Sequence, residues 1–179
     1  VCFDELVNEA AKLRFMFGGK VKVPMVMRTS SGAGTGAAAQ HSQSLEACLA
    51  HFPGLKVVIP STPYDAKGLL KTAIRDDNPV MFLEQKTLYR TKGMVPEEEY
   101  SIPLGQADIK LAGSDCTVVT YGRMVNTCLT AAQELEKDGV RLEVIDIRSL
   151  VPLDTQTILE SVKKTKHVLI VHEAVQFCG

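Results

Sequence analysis

Short apolar segments alternate with amphipathic helical patterns along this chain, and that alternation most constrains its fold. Three short apolar segments are typical of strands buried on both faces: 23–29 (VPMVMRT), 55–61 (LKVVIPS) and 79–84 (PVMFLE). Helical patterns separate these segments, and the connections are short. The order strand, helix, strand, helix, strand predicts a parallel sheet covered by helices.

The predicted helix ends depend on a few polar residues. Thr62 is placed as an N-cap, with Pro63 at the first helical position and Asp65 three residues after the cap. Another helix is predicted shortly after residue 41, with Ser42 and Ser44 as candidate caps. A first helix is predicted over residues 4–17 from its apolar spacing.

The pattern breaks at residues 90–106, where two prolines, two glycines and an acidic triplet interrupt the periodicity. It then restarts with strands and helices in the same alternation. The predicted strands are 116–122, 141–147 and 167–174, with one helix ending at Gly139 and another starting from an Asp154 cap. The sequence therefore predicts an α/β protein with two such units.

Composition excludes several classes of partner. The formal net charge is -1 and the charges are evenly mixed, so no basic surface for nucleic acid is expected. No apolar run approaches the 18 or so residues of a membrane span. The five cysteines are scattered, which predicts buried free thiols of a reducing cytosol: Cys2, Cys48, Cys116, Cys128 and Cys178.

A glycine-rich stretch follows the first strand. Gly32, Gly34 and Gly36 form GxGxG, which is neither the dinucleotide pattern nor a P-loop, so a close backbone crossing is favoured over a phosphate cradle. His41 comes next, and we expect it at the carboxyl edge of the sheet, where ligands bind in open α/β folds. It is either a proton donor and acceptor or a surface or capping histidine.

A second polar segment, AIRDDNP at residues 73–79, places two acids and an Asn at a predicted helix C-terminus. Free carbonyls and carboxylates there could hold a hard cation, and a solvated helix end is the alternative. No GxSxG and no metal-ligand cluster occurs in the sequence. The residues alone leave open whether the chain is part of an enzyme.

Residues 32–90 (GAGTGAAAQHSQSLEACLAHFPGLKVVIPSTPYDAKGLLKTAIRDDNPVMFLEQKTLYR) closely resemble the beta subunit of thiamin-diphosphate-dependent E1 enzymes. These are the pyruvate, branched-chain 2-oxo acid and acetoin dehydrogenases. The resemblance continues through VPEEEYSIPLGQADI, EVIDIRSLVPLDTQTILESVKKT and IVHEA, and so covers essentially the whole chain.

The resemblance implies two doubly wound parallel-sheet units, both incomplete relative to the family. A partial pyrimidine-binding domain would occupy residues 1–92, a linker 93–106, and a partial transketolase C-terminal domain 107–179. It also implies oxidative decarboxylation of a 2-oxo acid such as pyruvate, or acetoin cleavage, with acyl transfer to lipoamide of E2. The family assembles as an α2β2 heterotetramer whose alpha chain carries the diphosphate- and Mg-binding GDG motif, which is not found in this sequence.

By the same resemblance, His41 matches the active-site histidine, with a role in proton transfer or oxyanion contact during acyl transfer. Ala73, Asp76 and Asn78 match a structural monovalent cation site for K⁺. No cofactor-binding residue is assigned, because the family's pyrimidine-site residues, including its glutamate, precede Val1. This chain alone is therefore expected to be inactive.

The implied location is the cytoplasm of a bacterium or the organelle matrix of a eukaryote. Partners would be the alpha subunit and the lipoyl-bearing E2, with neither nucleic acid nor membrane. Two alternatives remain: a non-catalytic fragment that acts only in subunit assembly, and another enzyme of the transketolase superfamily.

Overall fold

Two four-stranded sheets organise the chain in the computed structural model, which describes residues 2–179. The first half contains α1 (Ala11–Met16, preceded by a π-helical segment, Glu5–Ala10), β1 (Val26–Ser31), α2 (Glu46–Ala50), β2 (Lys56–Val58), α3 (Pro63–Ile74) and β3 (Val80–Gln85). The second half contains β4 (Asp108–Leu111), β5 (Cys116–Thr120), α4 (Arg123–Glu136), β6 (Leu142–Asp146), β7 (Ser149–Val151), α5 (Thr155–Thr165) and β8 (Val168–Val171).

The first sheet has the order β1-β3-β2-β7, and its three strands from the first half are parallel. Alternating side chains of β2 and β3 point to opposite faces. Val57 and Met81 pack with α1 and α2, whereas Val58 and Phe82 pack with Leu69 of α3. Helices therefore cover both faces, as a doubly wound sheet requires.

The second sheet has the order β4-β6-β5-β8, with β5, β6 and β8 parallel. Helix α4 covers one face, where Cys128 and Ala132 pack on Val118 and Val144. Helix α5 lies against β5 from the other side. The predicted fold class is confirmed, with the addition of two antiparallel edge strands, β4 and β7, which the sequence pattern did not reveal.

Strand β7 belongs to the second half of the sequence but completes the first sheet. It pairs antiparallel with β2, with Val57 opposite Val151. One apolar core cluster also runs through both halves, since Leu83 of the first sheet and Ile145 of the second belong to it. Hydrogen bonding and packing thus both join the two sheets.

Residues 93–106 pack along α3. Ile102 is only 5% exposed, its N–H donates to the Gly68 carbonyl at 3.2 Å, and the Thr72 hydroxyl donates to its carbonyl at 2.7 Å. A Cβ on Gly68 would lie 2.6 Å from Ile102 Cγ1. The segment is irregular but fixed to the first half, and the division at residues 92 and 107 stays a prediction.

Two predicted caps are confirmed and one is wrong. The Asp65 N–H donates to Thr62 Oγ1 at 3.1 Å, and Asp154 Oδ1 accepts from the Thr157 N–H at 3.1 Å. Neither predicted serine caps α2, which begins only at residue 46 without a side-chain cap. The Ser42 hydroxyl donates instead to the Ala38 carbonyl at 2.7 Å, inside a 3₁₀ turn.

All five cysteines are free, as predicted, but only Cys128 is buried. Cys2, Cys48 and Cys178 are exposed, and Cys116 is half-buried. None of the helices within residues 2–179 has the length and hydropathy that crossing a membrane requires.

A buried group of charges, the Asp65 cluster, joins the two halves. It comprises Ser61, Asp65, Lys110, Asp146 and Arg148. Asp65 Oδ1 lies 3.0 Å from Arg148 Nη1, and its Oδ2 lies 2.9 Å from Lys110 Nζ. The Ser61 hydroxyl donates to Asp146. Arg148 also donates to the Gln106 and Ala107 carbonyls, both at 3.1 Å.

Candidate functional site

The carboxyl ends of β3, β5 and β8 meet at one edge of the molecule. Gln85 ends β3, Arg123 begins α4 just after β5, and Glu173 follows β8. Gln85 accepts a hydrogen bond from the Arg123 backbone N–H. Residues 32–45, which we call the His41 loop, leave the carboxyl end of β1 and lie against this group. The edge is where ligands bind in open α/β sheets.

His41 lies in a 3₁₀ turn, Ala39–His41, and is exposed, as a proton-transferring side chain must be to reach a ligand. Its backbone carbonyl accepts a hydrogen bond from the Lys86 ammonium, which follows β3. A backbone hydrogen bond also joins the two ends of the His41 loop: the Gly32 N–H donates to the Gln43 carbonyl at 2.9 Å.

The glycine-rich turn binds a carboxylate of the same chain. Glu173 Oε1 accepts from the Ala33 N–H at 2.5 Å. The other oxygen, Oε2, lies 2.6 Å from Arg123 Nε, and the Glu173 side chain is 8% exposed. The close approach predicted for the glycines occurs in two ways: Gly32 bonds to the Gln43 backbone, and the positions that a Cβ would occupy on Gly32 and Gly34 face the side chains of Glu173 and Arg123.

Gln85, Arg123 and Glu173 were not predicted as site residues. They are separated by 38 and 50 positions in the sequence, and each is unremarkable in its own segment. One signal was available: each follows or ends a predicted parallel strand, and such ends converge at one edge of a sheet.

A buried carboxylate borders an apolar cavity of about 520 Å³ between α2, α5 and β8. Glu46 is 1% exposed and accepts from the Ser31 hydroxyl at 2.9 Å, while its Oε2 has no partner among residues 2–179. The Tyr121 and His172 rings stack at 6.1 Å in the same wall. Burial raises the pKa of Tyr121 above its ordinary range, and the negative charge of Glu46 adds to this.

A smaller cavity of about 250 Å³ lies at the carboxyl ends of β2 and β3, beside the start of α3. Glu84 connects two of its lining residues, accepting from Arg28 Nε at 2.6 Å and from the Tyr89 hydroxyl at 3.0 Å. The hydrogen bond with Glu84 raises the pKa of Arg28, and burial together with Glu84 raises that of Tyr89.

The three residues matched to a cation site lie together after α3. Asp76 Oδ1 accepts from the Asn78 backbone at 2.9 Å and side chain at 2.8 Å, and Oδ2 pairs with Lys56. Burial opposes ionisation, but the hydrogen bonds from Lys56 and Asn78 lower the pKa of Asp76. The Ala73 carbonyl accepts from the Asp76 N–H at 3.3 Å. Since Lys56 already neutralises the carboxylate, this helix end offers a cation mainly carbonyl oxygens.

No group of three or more His, Cys, Asp or Glu side chains within residues 2–179 is arranged to hold a metal ion.

In the Asp65 cluster, burial raises the pKa of Asp146 to about 6. Burial also opposes ionisation of Asp65, but hydrogen bonds from Thr62, Lys110 and Arg148 lower its pKa. Burial disfavours the Lys110 ammonium, yet Asp108 and Asp65 raise its pKa.

Two family models match the chain. The transketolase pyrimidine-binding domain matches residues 2–92, and the transketolase C-terminal domain matches residues 105–179.

The chain is also similar to curated proteins along its whole length. It is 54% identical over 179 residues to the acetoin:2,6-dichlorophenolindophenol oxidoreductase subunit beta of Cupriavidus necator, covering 100% of this chain and 53% of that protein. It is 50% identical over 177 residues to the pyruvate dehydrogenase E1 component subunit beta of Bacillus subtilis, covering 98% and 54%. The B. subtilis 2-oxoisovalerate dehydrogenase subunit beta is 50% identical over 171 residues, with 95% and 52% covered. The chain thus spans about half the length of these relatives.

Solved structures show the same fold at lower identity. A split-gene transketolase, solved as an inactive beta4 tetramer, superposes with a TM-score of 0.79 at 22% identity, covering 96% of this chain and 53% of that chain. A transketolase from Pichia stipitis superposes with a TM-score of 0.65 at 17% identity, covering 87% and 24%.

Proposed function

Because this chain belongs to the transketolase family, with a pyrimidine-binding domain followed by a C-terminal domain, we propose that its whole protein is the beta subunit of a thiamin-diphosphate-dependent E1 dehydrogenase. The reaction is oxidative decarboxylation of a 2-oxo acid such as pyruvate, or cleavage of acetoin, with acyl transfer to lipoamide. The names of the relatives at 50–54% identity support this class.

The observation that carries the proposal is the position of His41. Its side chain is exposed at the carboxyl edge of the first sheet, on a loop fixed by Lys86 and Glu173. An imidazole in such a position can donate or accept a proton at neutral pH. We assign it proton transfer to, or hydrogen bonding of, the oxygen of the substrate during acyl transfer.

Thiamin diphosphate, when bound, supplies the carbon nucleophile that cleaves the bond next to the carbonyl. The described residues fit a cofactor held largely by a neighbouring subunit. At this edge they offer an exposed imidazole, His41, and a buried hydroxyl, Thr87, that has no partner within residues 2–179. We propose that the alpha subunit binds the diphosphate and Mg²⁺, and that the α2β2 assembly acts with lipoyl-bearing E2 in the cytoplasm or organelle matrix.

We also propose a structural K⁺ after α3, held by the Ala73 carbonyl and by Asn78, with Asp76 organising the turn. Substituting Lys56→Met would free the Asp76 carboxylate and increase affinity for the cation. Thermal unfolding of the assembled enzyme in K⁺ compared with choline chloride tests this: K⁺ should raise the melting temperature, and more so in the variant.

Reconstitution tests the proposed function. The full-length chain is combined with its alpha subunit and thiamin diphosphate, and reduction of an artificial electron acceptor is followed with acetoin, pyruvate and 3-methyl-2-oxobutanoate. His41→Ala should lower lipoamide acylation by about 100-fold without changing the melting temperature. His51→Ala is the matched control, because His51 is also exposed but follows the other end of α2. Absence of turnover with every substrate contradicts the proposal.

Exposed apolar side chains favour the alternative function, a non-catalytic fragment that acts only in subunit assembly. Phe15 and Met16 of α1 and Ile170 of β8 are all more than two-thirds exposed, and such patches mark interaction surfaces. Turnover in the reconstituted enzyme that is unaffected by His41→Ala would support this alternative.

A further inference from the structure

Glu173 connects the second sheet to the loop that carries His41. Its carboxylate accepts from the Ala33 N–H at 2.5 Å and lies 2.6 Å from Arg123 Nε. This Nε–H does not point at the carboxylate, so the contact is an ion pair. Gln85 Nε2 lies 3.5 Å from the same carboxylate, at the limit of a hydrogen bond.

The glycines of the loop are required for this contact. Gly32 has φ +86° and Gly34 has φ +92°, a region that other residues rarely adopt. A Cβ on Gly34 would lie 2.7 Å from Arg123 Nη1, and one on Gly32 would lie 3.4 Å from Glu173 Oε2. A side chain at Gly34 would therefore collide with the ion pair.

The contact acts on His41 through a short path. The Gly32 N–H donates to the Gln43 carbonyl at 2.9 Å, which ties the glycine turn to the segment just after His41. On the other side, Lys86 holds the His41 carbonyl, and its neighbour Gln85 accepts from Arg123. Between β1 and α2 the only regular structure described is one 3₁₀ turn, so these contacts determine the order of the loop.

We propose that Glu173, held by Arg123, is a positioning residue for His41, so that the second unit orders the loop that carries the active-site histidine of the first. The inference rests on the proposed function for the catalytic role of His41. A carboxylate that accepts a backbone N–H and pairs with a guanidinium forms a charge-assisted contact, stronger than a neutral hydrogen bond. Replacing the carboxylate by a neutral amide removes the charge that pairs with Arg123 and leaves the Ala33 N–H a weaker, uncharged acceptor.

Glu173→Gln in the full-length chain, assembled with the alpha subunit, tests the proposal. Hydrogen–deuterium exchange of residues 32–45 should become about tenfold faster, because the loop opens more often. The control is Glu143→Gln, since Glu143 is also a buried carboxylate that pairs with an ammonium, Lys164, and with a backbone N–H, Gly113, but lies on β6. It should leave exchange of the loop unchanged.

Kinetics separate positioning from general destabilisation. Glu173→Gln should lower kcat for lipoamide acylation by about tenfold with little change in KM for the substrate. In a His41→Ala background, the same substitution should cause no further loss, because it acts only through His41. A further tenfold loss in that background overturns the proposal.

Gly34→Ala is a second variant, which disturbs the Glu173–Arg123 ion pair by a substitution in the His41 loop. It tests the proposal if Glu173→Gln does not assemble with the alpha subunit. It should raise exchange of residues 32–45 in the same way. Exchange that is unchanged, or that rises equally in Glu143→Gln, overturns the proposal. If the unsubstituted enzyme turns over none of the substrates, the proposed function fails, whereas the exchange experiment still tests the ordering of the loop by Glu173.

Discussion

At the scale of single residues, the Asp65 cluster combines burial with opposite charges. Two cations of the cluster, Lys110 and Arg148, lie within 4.0 Å of the buried carboxylates of Asp65 and Asp146 or of the partly exposed Asp108 beside them. With Asp146 protonated, two positive charges meet two negative ones. Burial opposes the ionisation of Asp146, and the negative charge of Asp65 adds to this, so the pKa of Asp146 rises to about 6 although Ser61 and Lys110 favour its charged form.

This shift predicts how stability depends on pH. The folded protein holds the Asp146 proton up to about pH 6, whereas the unfolded chain loses it near pH 4, so the free energy of unfolding falls as pH rises through 6. Between pH 5 and 7.5 the Asp146 contribution falls by about 1 kcal/mol. Urea unfolding across this range should show the fall in the unsubstituted chain but not in Asp146→Asn. Asp115→Asn, at a half-buried site outside the cluster, should retain it.

A buried arginine ion pair is expected to contribute more to the free energy of unfolding than an exposed one. Arg148 is 6% exposed and pairs with the buried Asp65, so Arg148→Met should lower the free energy of unfolding by about 3 kcal/mol. The control is Arg28→Met, whose pair with Glu84 is largely exposed on the arginine side, and it should cost less than about 1 kcal/mol. Equal losses in urea unfolding would contradict this ranking.

At the scale of helices and strands, the well-predicted elements are those specified by local chemistry. Thr62 and Asp154 start their helices because their own side chains accept nearby N–H groups. The predicted start of α2 failed because the Ser42 hydroxyl is taken by Ala38 in a preceding turn. Strand β7 is three residues long and exists only through pairing with β2, so no pattern within its own segment predicts it.

Asp154, the N-cap of α5, should contribute more to the free energy of unfolding than an N-cap residue usually does. Asp154 accepts from the Thr157 N–H and also from the Ala107 N–H at 2.9 Å, which holds the start of the second half. Asp154→Ala should therefore lower the free energy of unfolding by about 2 kcal/mol. Asp154→Asn keeps an acceptor oxygen and should lose about half as much. Urea unfolding that ranks the two variants in the opposite order would refute this.

At the scale of the whole molecule, the site depends on contacts that local sequence does not encode. His41 could be singled out from its own segment, but Glu173, paired with Arg123, reaches the His41 loop at Ala33 only because strand ends from both halves converge. The apolar core is likewise shared, with Leu83 and Ile145 in one cluster.

A shared core predicts that the two sheets unfold together. Leu83→Ala and Ile145→Ala, one in each sheet, should each lower the melting temperature of a single transition, at a cost of about 3 kcal/mol. Calorimetry checks this by comparing the measured enthalpy with the van't Hoff enthalpy. Two separate transitions, each sensitive to only one substitution, would show that the halves are independent.

The pairing of β7 with β2 also bears on how such a protein can evolve. A recombination event between residues 92 and 105 would join halves of different ancestry. The edge strand of the first sheet, β7, would then come from a different parent than the three strands beside it. A chimera keeps its hydrogen bonds only if both lineages preserve the register that sets Val57 opposite Val151. The two halves are therefore expected to be inherited together.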